Sequence, residues 1–506
     1  MSDYTRNNKR IARNMLFLYI RMAFILVVSL YSSRVVLNTL GVVDYGVFNV
    51  VAGFIFLFAF LNSSLSSAIQ RFYNYEEGKN GKEWLQKVYI TSFLIQTLLA
   101  ATVLVLLETF GVWYLNHVLV VPPERMPAVH ILFQTSAISL ILVIFEVPYS
   151  SIIMAKERMD YYAVVGIIDV LLKLGVAIIL PYLPYDKLIS YSFLNLIITL
   201  ANFFLYFIYA KYNFPILKLK RLFDKELFRS MLSFSGWNVI GTFAFMLKGQ
   251  GLNLLLNFFF GPVVNAARGI SYQVLSAMQG FTANISIAFR PQLITSYAEG
   301  NIERTRKMMY SESKICYVLM GALVTPLIIE MDYVLHLWLG GIVPEYTVPF
   351  TILVLLDMLI GTLNTPFTQV VHATGNLKTY QIVSTIVHCL IIPIAWLLLK
   401  FGYSPVSSFV VSLAMAMVNQ IGCMLVVRNI FPYGLKKYLV QIILPCLLYT
   451  VLLPLLPLMI YFVMEQSFAR LALICLVDFI AAITIAFFAV LNKDEKSLLL
   501  NFVRRS

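Results

Sequence analysis

The chain has 506 residues, 60% of them hydrophobic and 12% charged, and it carries a formal net charge of +13. A soluble domain usually has about 25% charged residues, so this composition excludes an ordinary soluble enzyme and indicates a membrane protein. In a soluble protein the excess positive charge would suggest a nucleic-acid partner, but its placement along this chain favours a different explanation.

Apolar segments long enough to cross a bilayer follow one another along almost the whole chain. A transmembrane helix needs about 20 apolar residues, and fourteen segments of that kind are joined by short connections. No small-residue cleavage site follows the first segment, which we therefore predict to be a retained helix and not a signal peptide. The predicted spans are 15–38, 43–68, 88–110, 128–153, 162–183, 188–210, 231–258, 264–288, 315–331, 346–371, 380–400, 404–427, 438–463 and 467–491.

Positive charges alternate between the two sides of this arrangement. Of the 38 Lys and Arg residues, 29 fall on the side that holds both termini, four fall on the opposite side, and five lie inside helices. Loops rich in Lys and Arg remain in the cytoplasm. We therefore predict that both termini are cytoplasmic, which agrees with an even number of spans.

The connection 211–230 has apolar and basic residues interleaved at near-helical spacing. This pattern predicts an interfacial amphipathic helix on an anionic leaflet, although a solvated linker is the alternative. The apolar residues are Leu222, Phe223, Leu227 and Met231, and the basic ones are Lys220, Arg221, Lys225 and Arg229.

The chain also repeats itself weakly at an offset of 218–222 residues. The segment 148–155 matches 366–373, and Gly41 matches Gly261. Each copy holds six spans, so the two copies enter the membrane in the same orientation and predict two parallel lobes with a central site between them. The predicted fold is an all-α polytopic membrane protein of two six-helix lobes plus an appended C-terminal helix pair. Its domains are an N-terminal lobe at 1–210, the linker helix at 211–230, a C-terminal lobe at 231–430, and the last two helices with the tail at 431–506.

Five basic residues lie inside predicted spans, where each charge costs roughly 2.5–3.5 kcal/mol at the bilayer centre. Facing a wet cavity, pairing with an acid, or reaching the interface would each reduce that cost. Arg34 and Lys248 lie in the first helix of each lobe, which would place them at the central cleft. We therefore predict a cationic cavity that binds an anionic, phosphorylated cargo through Arg21, Arg34, Lys248 and Arg268. Snorkelling toward the interface remains the alternative for Arg21, Arg34 and Arg268.

Acidic residues within the predicted spans are fewer. Asp169 and Lys173 are spaced i, i+4 and can pair on one helix face. A structural ion pair and a site for a coupling ion are both compatible with that spacing. The candidate residues for ion coupling are Glu146, Asp169, Lys173 and Asp357.

Known motifs for enzyme chemistry are missing from the sequence. It contains no GxxxxGK[ST], HExxH or GxSxG pattern, and its five cysteines fall inside spans without metal-ligand spacing. We predict that the protein is not an enzyme and that it uses no cofactor and no metal.

Three segments carry a resemblance to a known family. They are Leu40-Gly41-Val42-Val43-Asp44-Tyr45-Gly46 after the first span, Arg290-Pro291-Gln292 through Tyr297-Ala298-Glu299-Gly300, and Leu337-Trp338-Leu339-Gly340 with Pro344-Glu345-Tyr346. The chain resembles the Wzx-type flippases of polysaccharide repeat units. Their superfamily includes the multidrug and toxic compound extrusion transporters and the lipid II flippase.

The resemblance implies alternating access of two lobes around a cationic cavity. It implies an oligosaccharide on an undecaprenyl pyrophosphate carrier as cargo, moved from the inner to the outer leaflet of the bacterial inner membrane for O-antigen, capsule or exopolysaccharide synthesis. The lipid bilayer and glycan polymerase machinery are the expected partners, nucleic acid is not, and a monomer is expected. Sugar contacts would come from Trp237, Asn238, Gln250 and Asn253.

Three rival functions stay open at this point. A cation-coupled drug or metabolite exporter of the same superfamily would depend on Asp169 or Asp357. A membrane-embedded glycan-processing enzyme would change the lipid-linked sugar covalently. A scaffold for glycan assembly would transport nothing, but the basic residues inside the spans argue against it.

Overall fold

A computed structural model describes residues 2–156, 158–217, 224–492 and 496. At several helical positions, chiefly 2–23, 74–82 and 234–242, the description covers the backbone alone. Helices account for 88% of the chain, and the described residues contain no β-strand. The predicted all-α membrane fold is therefore confirmed.

The chain divides into two compact units, Met1–Ala266 and Ala267–Ser506. The predicted domains rest on the sequence repeat and not on contacts, so their limits remain a prediction. The helices of the first unit are α1 Ser2–Phe56, α2 Ala59–Leu106, α3 Val112–His117, α4 Met126–Ala155, α5 Met159–Ile179, α6 Lys187–Asn213, α7 Lys225–Met246 and α8 Leu252–Phe260. Helix α9, Pro262–Ala298, begins in the first unit and ends in the second.

The second unit continues with ten helices among its described residues. These are α10 Ile302–Ile329, α11 Met331–Leu339, α12 Thr347–Thr362, α13 Thr365–Thr374, α14 Leu377–Lys400, α15 Val406–Ile430, α16 Leu435–Tyr438, α17 Leu444–Leu452, α18 Leu455–Val463 and α19 Phe468–Ile485. Short π-helical segments interrupt or extend the helices at Leu107–Gly111, Leu247–Gly251, Leu439–Ile443 and Ala486–Val490.

Eleven described helical stretches are long and apolar enough to cross a membrane. They coincide with twelve of the predicted spans, because Phe24–Phe56 includes parts of the first two. The other two predicted spans, 231–258 and 264–288, contain positions at which only the backbone is described. A polytopic membrane protein is thus established, while the number fourteen and the layout of the lobes stay predictions.

Two glycines break the helical path at matching points of the sequence repeat. Gly41 has φ 77° and ψ 167° within α1, and Gly261 has φ 74° and ψ −172° between α8 and α9. Left-handed φ values of this kind favour glycine, because it has no Cβ to clash with the backbone. The same unusual conformation at the two paired positions supports the internal duplication.

Helices α2, α4 and α6 form the core of the first unit. The hydroxyl groups of Tyr89 on α2 and Tyr149 on α4 lie 3.1 Å apart, and Tyr73 donates to the Pro148 carbonyl over 3.4 Å. Pro148 lies inside α4, and proline inside a helix removes a backbone hydrogen bond and bends the helix. Buried tyrosines therefore hold the two helices together beside this bend.

Helix α10 is central to the second unit. Half of its most apolar stretch is buried, compared with 22% for Leu435–Val463, which belongs to the appended pair. That pair docks on α10 through polar groups as well as apolar contacts. Tyr438 donates to the Ser313 hydroxyl over 3.2 Å, and Tyr449 donates to the Val318 carbonyl over 3.0 Å. The low burial of the appended helices leaves their other faces for lipid.

Candidate functional site

Arg34 lies in α1 within the stretch Phe24–Phe56 and is half-buried. It forms no hydrogen bond or ion pair with any other residue that the structure describes. Helix α1 packs against α4 and α5 of the same unit, and no acid among the described residues pairs with the Arg34 guanidinium. A basic side chain inside a membrane span is costly to expose to lipid, so Arg34 is a candidate for a functional residue.

Lys248 lies in the π-helical segment Leu247–Gly251 between α7 and α8. π-helical turns interrupt regular helices and are frequent at functional sites. This segment contacts the second half of α1, where Gln250 lies so close to Gly53 that a Cβ there would meet its side-chain oxygen at 2.6 Å. The segment that carries Lys248 therefore lies against α1 within the first unit, while the central cleft between two lobes remains a prediction.

Three buried asparagines link α8, α9 and the loop before α4. The Asn265 amide donates to both oxygens of Asn253 over 2.7 and 2.8 Å, and the Asn257 amide donates to the Asn265 side chain over 3.1 Å. Asn253 also donates to the Asn49 carbonyl over 3.0 Å. The predicted sugar contact Asn253 is fully buried, and its amide is already bonded to protein in this conformation.

A cluster of charged side chains in the first unit links α1 to the segments that directly precede α4 and α6. Arg125 donates from Nε to Asp44 over 2.8 Å and from Nη1 to Asp186 over 2.6 Å. Asp186 also caps α6 by accepting from the Ile189 amide over 3.0 Å. The hydrogen bond from Arg125 lowers the pKa of the Asp186 carboxyl below its ordinary value. Asp44 belongs to the segment Leu40–Gly46 that carried the family resemblance, so that segment serves to anchor a loop.

Arg268 in α9 is buried, with 4% of its surface exposed. Its guanidinium lies 4.0 Å from the ring centroid of Tyr272, one turn further along the helix. A cation over an aromatic face is stabilised by the ring quadrupole. Protein therefore encloses the Arg268 side chain, and both its place in a cationic cavity and the snorkelling alternative remain predictions.

The i, i+4 pair predicted on α5 is present. Lys173 Nζ lies 2.7 Å from Asp169 Oδ2, and the Asn202 amide on α6 donates to Asp169 Oδ1 over 2.8 Å. The carboxyl group of Glu146 on α4 interacts electrostatically with Asp169. Asp169 is thus held by two side chains, which fits the structural ion pair, and a role in ion coupling remains a prediction.

In the second unit, two acids in spans accept hydrogen bonds from neighbouring helices. Ser412 on α15 donates to Asp357 over 2.7 Å, and Gln369 on α13 donates to Glu312 over 2.8 Å. Asp357 was predicted as a coupling candidate and Glu312 was not. The remaining predicted site residues, Arg21, Trp237 and Asn238, have side chains that lie outside the described part of the chain.

Each of the four cations on the predicted outer side contacts a specific partner, and sequence analysis did not predict these contacts. Arg125 pairs with two aspartates, and Arg470 pairs with Glu330 at 2.5 Å. Lys187 donates to the Pro181 carbonyl over 2.9 Å, and Lys400 lies 4.8 Å from the Trp396 ring centroid. Their rarity on that side was the available signal, because a cation retained where few occur has a specific partner.

A family model described as polysaccharide biosynthesis protein matches residues 11–296. No curated protein sequence matches the chain significantly. Among solved structures, the lipid II flippase MurJ in an inward closed conformation is 13% identical, with a TM-score of 0.67, and the match covers 93% of this chain and 98% of that one. An inward-facing multidrug resistance MATE family transporter of the MOP superfamily is 14% identical, with a TM-score of 0.62, covering 83% and 99%.

An outward-facing MATE family transporter is also similar, with 15% identity, a TM-score of 0.55, and coverage of 84% of this chain and 96% of that one. Sequence identities this low show a shared fold and nothing more. The family match spans more than half of the chain and therefore shows the family. The resemblance drawn from the three sequence segments is confirmed. The chain belongs to the polysaccharide biosynthesis protein family and has the transporter fold of the MOP superfamily.

Proposed function

We propose that this protein is a flippase for oligosaccharide repeat units linked to undecaprenyl pyrophosphate. It moves them from the inner to the outer leaflet of the bacterial inner membrane by alternating access of its two lobes, for the synthesis of O-antigen, capsule or exopolysaccharide. Both termini then lie in the cytoplasm. The family assignment supports glycan export, and similarity to a lipid II flippase supports a lipid-linked cargo.

The environment of Arg34 is the observation that most directly supports the proposal. A half-buried guanidinium in a membrane span, without an acidic partner among the described residues, provides a site for an anion. The guanidinium fork matches a phosphate oxygen pair, and Lys248 adds a point charge on the segment that contacts α1. A pyrophosphate head group has the charge and geometry for both.

Membrane potential can drive this transport without ATP. A pyrophosphate glycolipid carries negative charge outward, and an inside-negative potential favours that movement by about 2.3 kcal/mol per charge per 100 mV. The basic residues would lower the barrier by replacing part of the head group's hydration shell. The membrane potential would then supply energy for moving the charged substrate.

Deletion of the protein from its native cell tests the function. Lipid-linked oligosaccharide should accumulate on the cytoplasmic leaflet while the surface glycan disappears, and the intact chain should restore both. The purified protein in liposomes should move the same lipid-linked oligosaccharide between leaflets, faster with an imposed potential. Unchanged surface glycan in the deletion strain, or no movement in liposomes, would refute the proposal.

The similar MATE transporters favour a second candidate, a cation-coupled exporter of small molecules. Asp169 would then be a coupling residue, although it is bonded to Lys173 and Asn202 in this conformation. Export of a small organic cation that is lost in Asp169→Asn, without movement of lipid-linked sugar, would support this second function.

A further inference from the structure

Asp478 lies near the middle of α19, at the centre of the membrane stretch Phe468–Val490. Its side chain is fully buried. Neither carboxyl oxygen has a hydrogen-bond partner among the residues that the structure describes. The function proposed above does not use this residue, and the predicted coupling residues did not include it.

Polar groups on the helices that pack with α19 are already engaged elsewhere. On α17, Tyr449 interacts electrostatically with Asp478 but donates its hydroxyl proton to Val318 on α10 over 3.0 Å. Also on α10, Lys314 donates to Asn492 over 2.8 Å, and the Tyr317 hydroxyl lies 2.7 Å from that of Thr450. Cys475, one turn before Asp478 on α19, is the other neighbour that interacts with it electrostatically.

At the outer end of the same helix, Arg470 is held by Glu330. Its Nη2 donates to Glu330 Oε2 over 2.8 Å, and the guanidinium also lies 4.6 Å from the Tyr461 ring of α18. At the inner end, Lys496 lies 5.3 Å from the Phe487 ring centroid. Every described cation on or beside α19 therefore has another partner, and none pairs with Asp478.

A carboxylate with no donor and no cation is strongly disfavoured at the centre of a membrane. A neutral carboxylic acid has no net charge to solvate, so binding a proton removes most of that cost. A sodium ion would need several oxygen ligands, and the described surroundings of Asp478 do not provide them. We propose that Asp478 is a proton-binding site of the appended helix pair, occupied by a proton in this conformation.

Release of that proton requires water or a cation to reach the carboxyl group. Either event needs α19 to move away from a helix that it packs against, α10, α17 or α18, because Asp478 is fully buried. Protonation therefore favours the docked arrangement of α19, and deprotonation favours a loosened one. The coupling of this change to transport rests on the proposed flippase function, whereas the proton site itself does not.

Infrared spectroscopy on the full chain in lipid nanodiscs tests the site. Wild-type protein at pH 7 should show a protonated-carboxyl C=O band that is absent from Asp478→Asn. The band should be unchanged in the matched control Asp332→Asn, which removes an exposed acid of α11. A missing wild-type band, or one that persists in Asp478→Asn, would overturn the proposal.

The stability of two variants with uncharged side chains at position 478 tests the proposal without spectroscopy. Because the native side chain is taken to be neutral, Asp478→Asn and Asp478→Leu should both fold, with at least one keeping its Tm within about 3 °C of wild type. Failure of both to fold would mean that the negative charge is required, and it would overturn the proposal.

The coupling to transport is tested by measuring flipping in liposomes with an imposed pH gradient or an imposed potential. Wild type should respond to both, with the response to the pH gradient about fivefold or more, while Asp478→Asn should respond to the potential alone. An unchanged pH response in Asp478→Asn would overturn the coupling. Absence of any wild-type flipping would refute the proposed function instead, and the infrared result would still decide the proton site.

Discussion

Two nitrogens of Arg470 lie close to the Glu330 carboxylate, with Nε 2.5 Å from Oε1 and Nη2 2.8 Å from Oε2. Glu330 follows the last residue of α10, and Arg470 lies in the first turn of α19, so the pair fixes the appended helices to the centre of the second unit. Both side chains are buried. Nη2 donates a charge-assisted hydrogen bond to Oε2, and the approach of Nε to Oε1 adds an ion-pair contact that lacks hydrogen-bond geometry.

Breaking this pair should destabilise the protein. Glu330→Gln leaves the Arg470 guanidinium buried without its counter-ion, and we expect a loss of about 3 kcal/mol in the free energy of unfolding. The value is at the lower end of the range for buried pairs, because this pair lies at a helix end and not at mid-membrane. Unfolding in detergent measures the loss. Asp332→Asn, at an exposed acid, is the control, and equal effects of the two variants would show that the pair contributes nothing.

The cluster of Arg125 with Asp44 and Asp186 predicts a pH dependence of stability. The pKa of Asp186 is lowered in the folded state, so its contribution is complete above the unfolded value of about 3.9. That contribution is lost as the pH falls through the lower, folded-state value. The Tm difference between wild type and Asp186→Asn should therefore be largest near neutral pH and should shrink below pH ~4. A difference that grows on acidification would contradict this assignment.

Gly46 should tolerate no side chain. A Cβ at this position would lie 1.8 Å from the carbonyl oxygen of Pro262, which is backbone and cannot rotate away. We expect Gly46→Ala to cost about 2 kcal/mol or more, because α1 must move away from the start of α9. Gly175→Ala is the matched control, since a Cβ there meets nothing within 4 Å. Similar Tm values for the two variants would refute the close contact.

The sequence predicted the features that depend on local spacing. Apolar length identified twelve of the predicted spans, and the i, i+4 spacing identified the contact of Asp169 with Lys173. The repeat pairs Gly41 with Gly261, and both glycines have left-handed φ values. In each case the relevant information lies in a short segment or in a comparison of two short segments.

Pairings between distant segments could not be predicted in this way. Arg125 joins residues 81 and 61 positions away, and no periodicity connects three such distant segments. Asn253 was expected to contact sugar because an amide on a lobe-opening helix can do so, but Asn265 and Asn49 use its hydrogen bonds. The buried state of Asp478 depends on the helices packed around it, which composition and spacing cannot reveal.

The cationic site makes the most direct functional prediction. Arg34→Gln should reduce flipping of lipid-linked oligosaccharide by roughly 10- to 100-fold, because a charge-assisted hydrogen bond contributes about 1.5–3 kcal/mol and about 1.4 kcal/mol corresponds to a factor of ten. Arg34→Lys keeps the charge but loses the guanidinium fork, so it should retain an intermediate rate. Lys248→Gln should also slow flipping.

Lys400→Gln, at an exposed residue ending α14, should leave the rate unchanged. Rates are measured in liposomes at equal protein content, with Tm recorded for each variant. Full activity in both Arg34→Gln and Lys248→Gln would remove the physical basis for an anionic cargo, because no charge at these two positions would then be needed to carry it across the membrane.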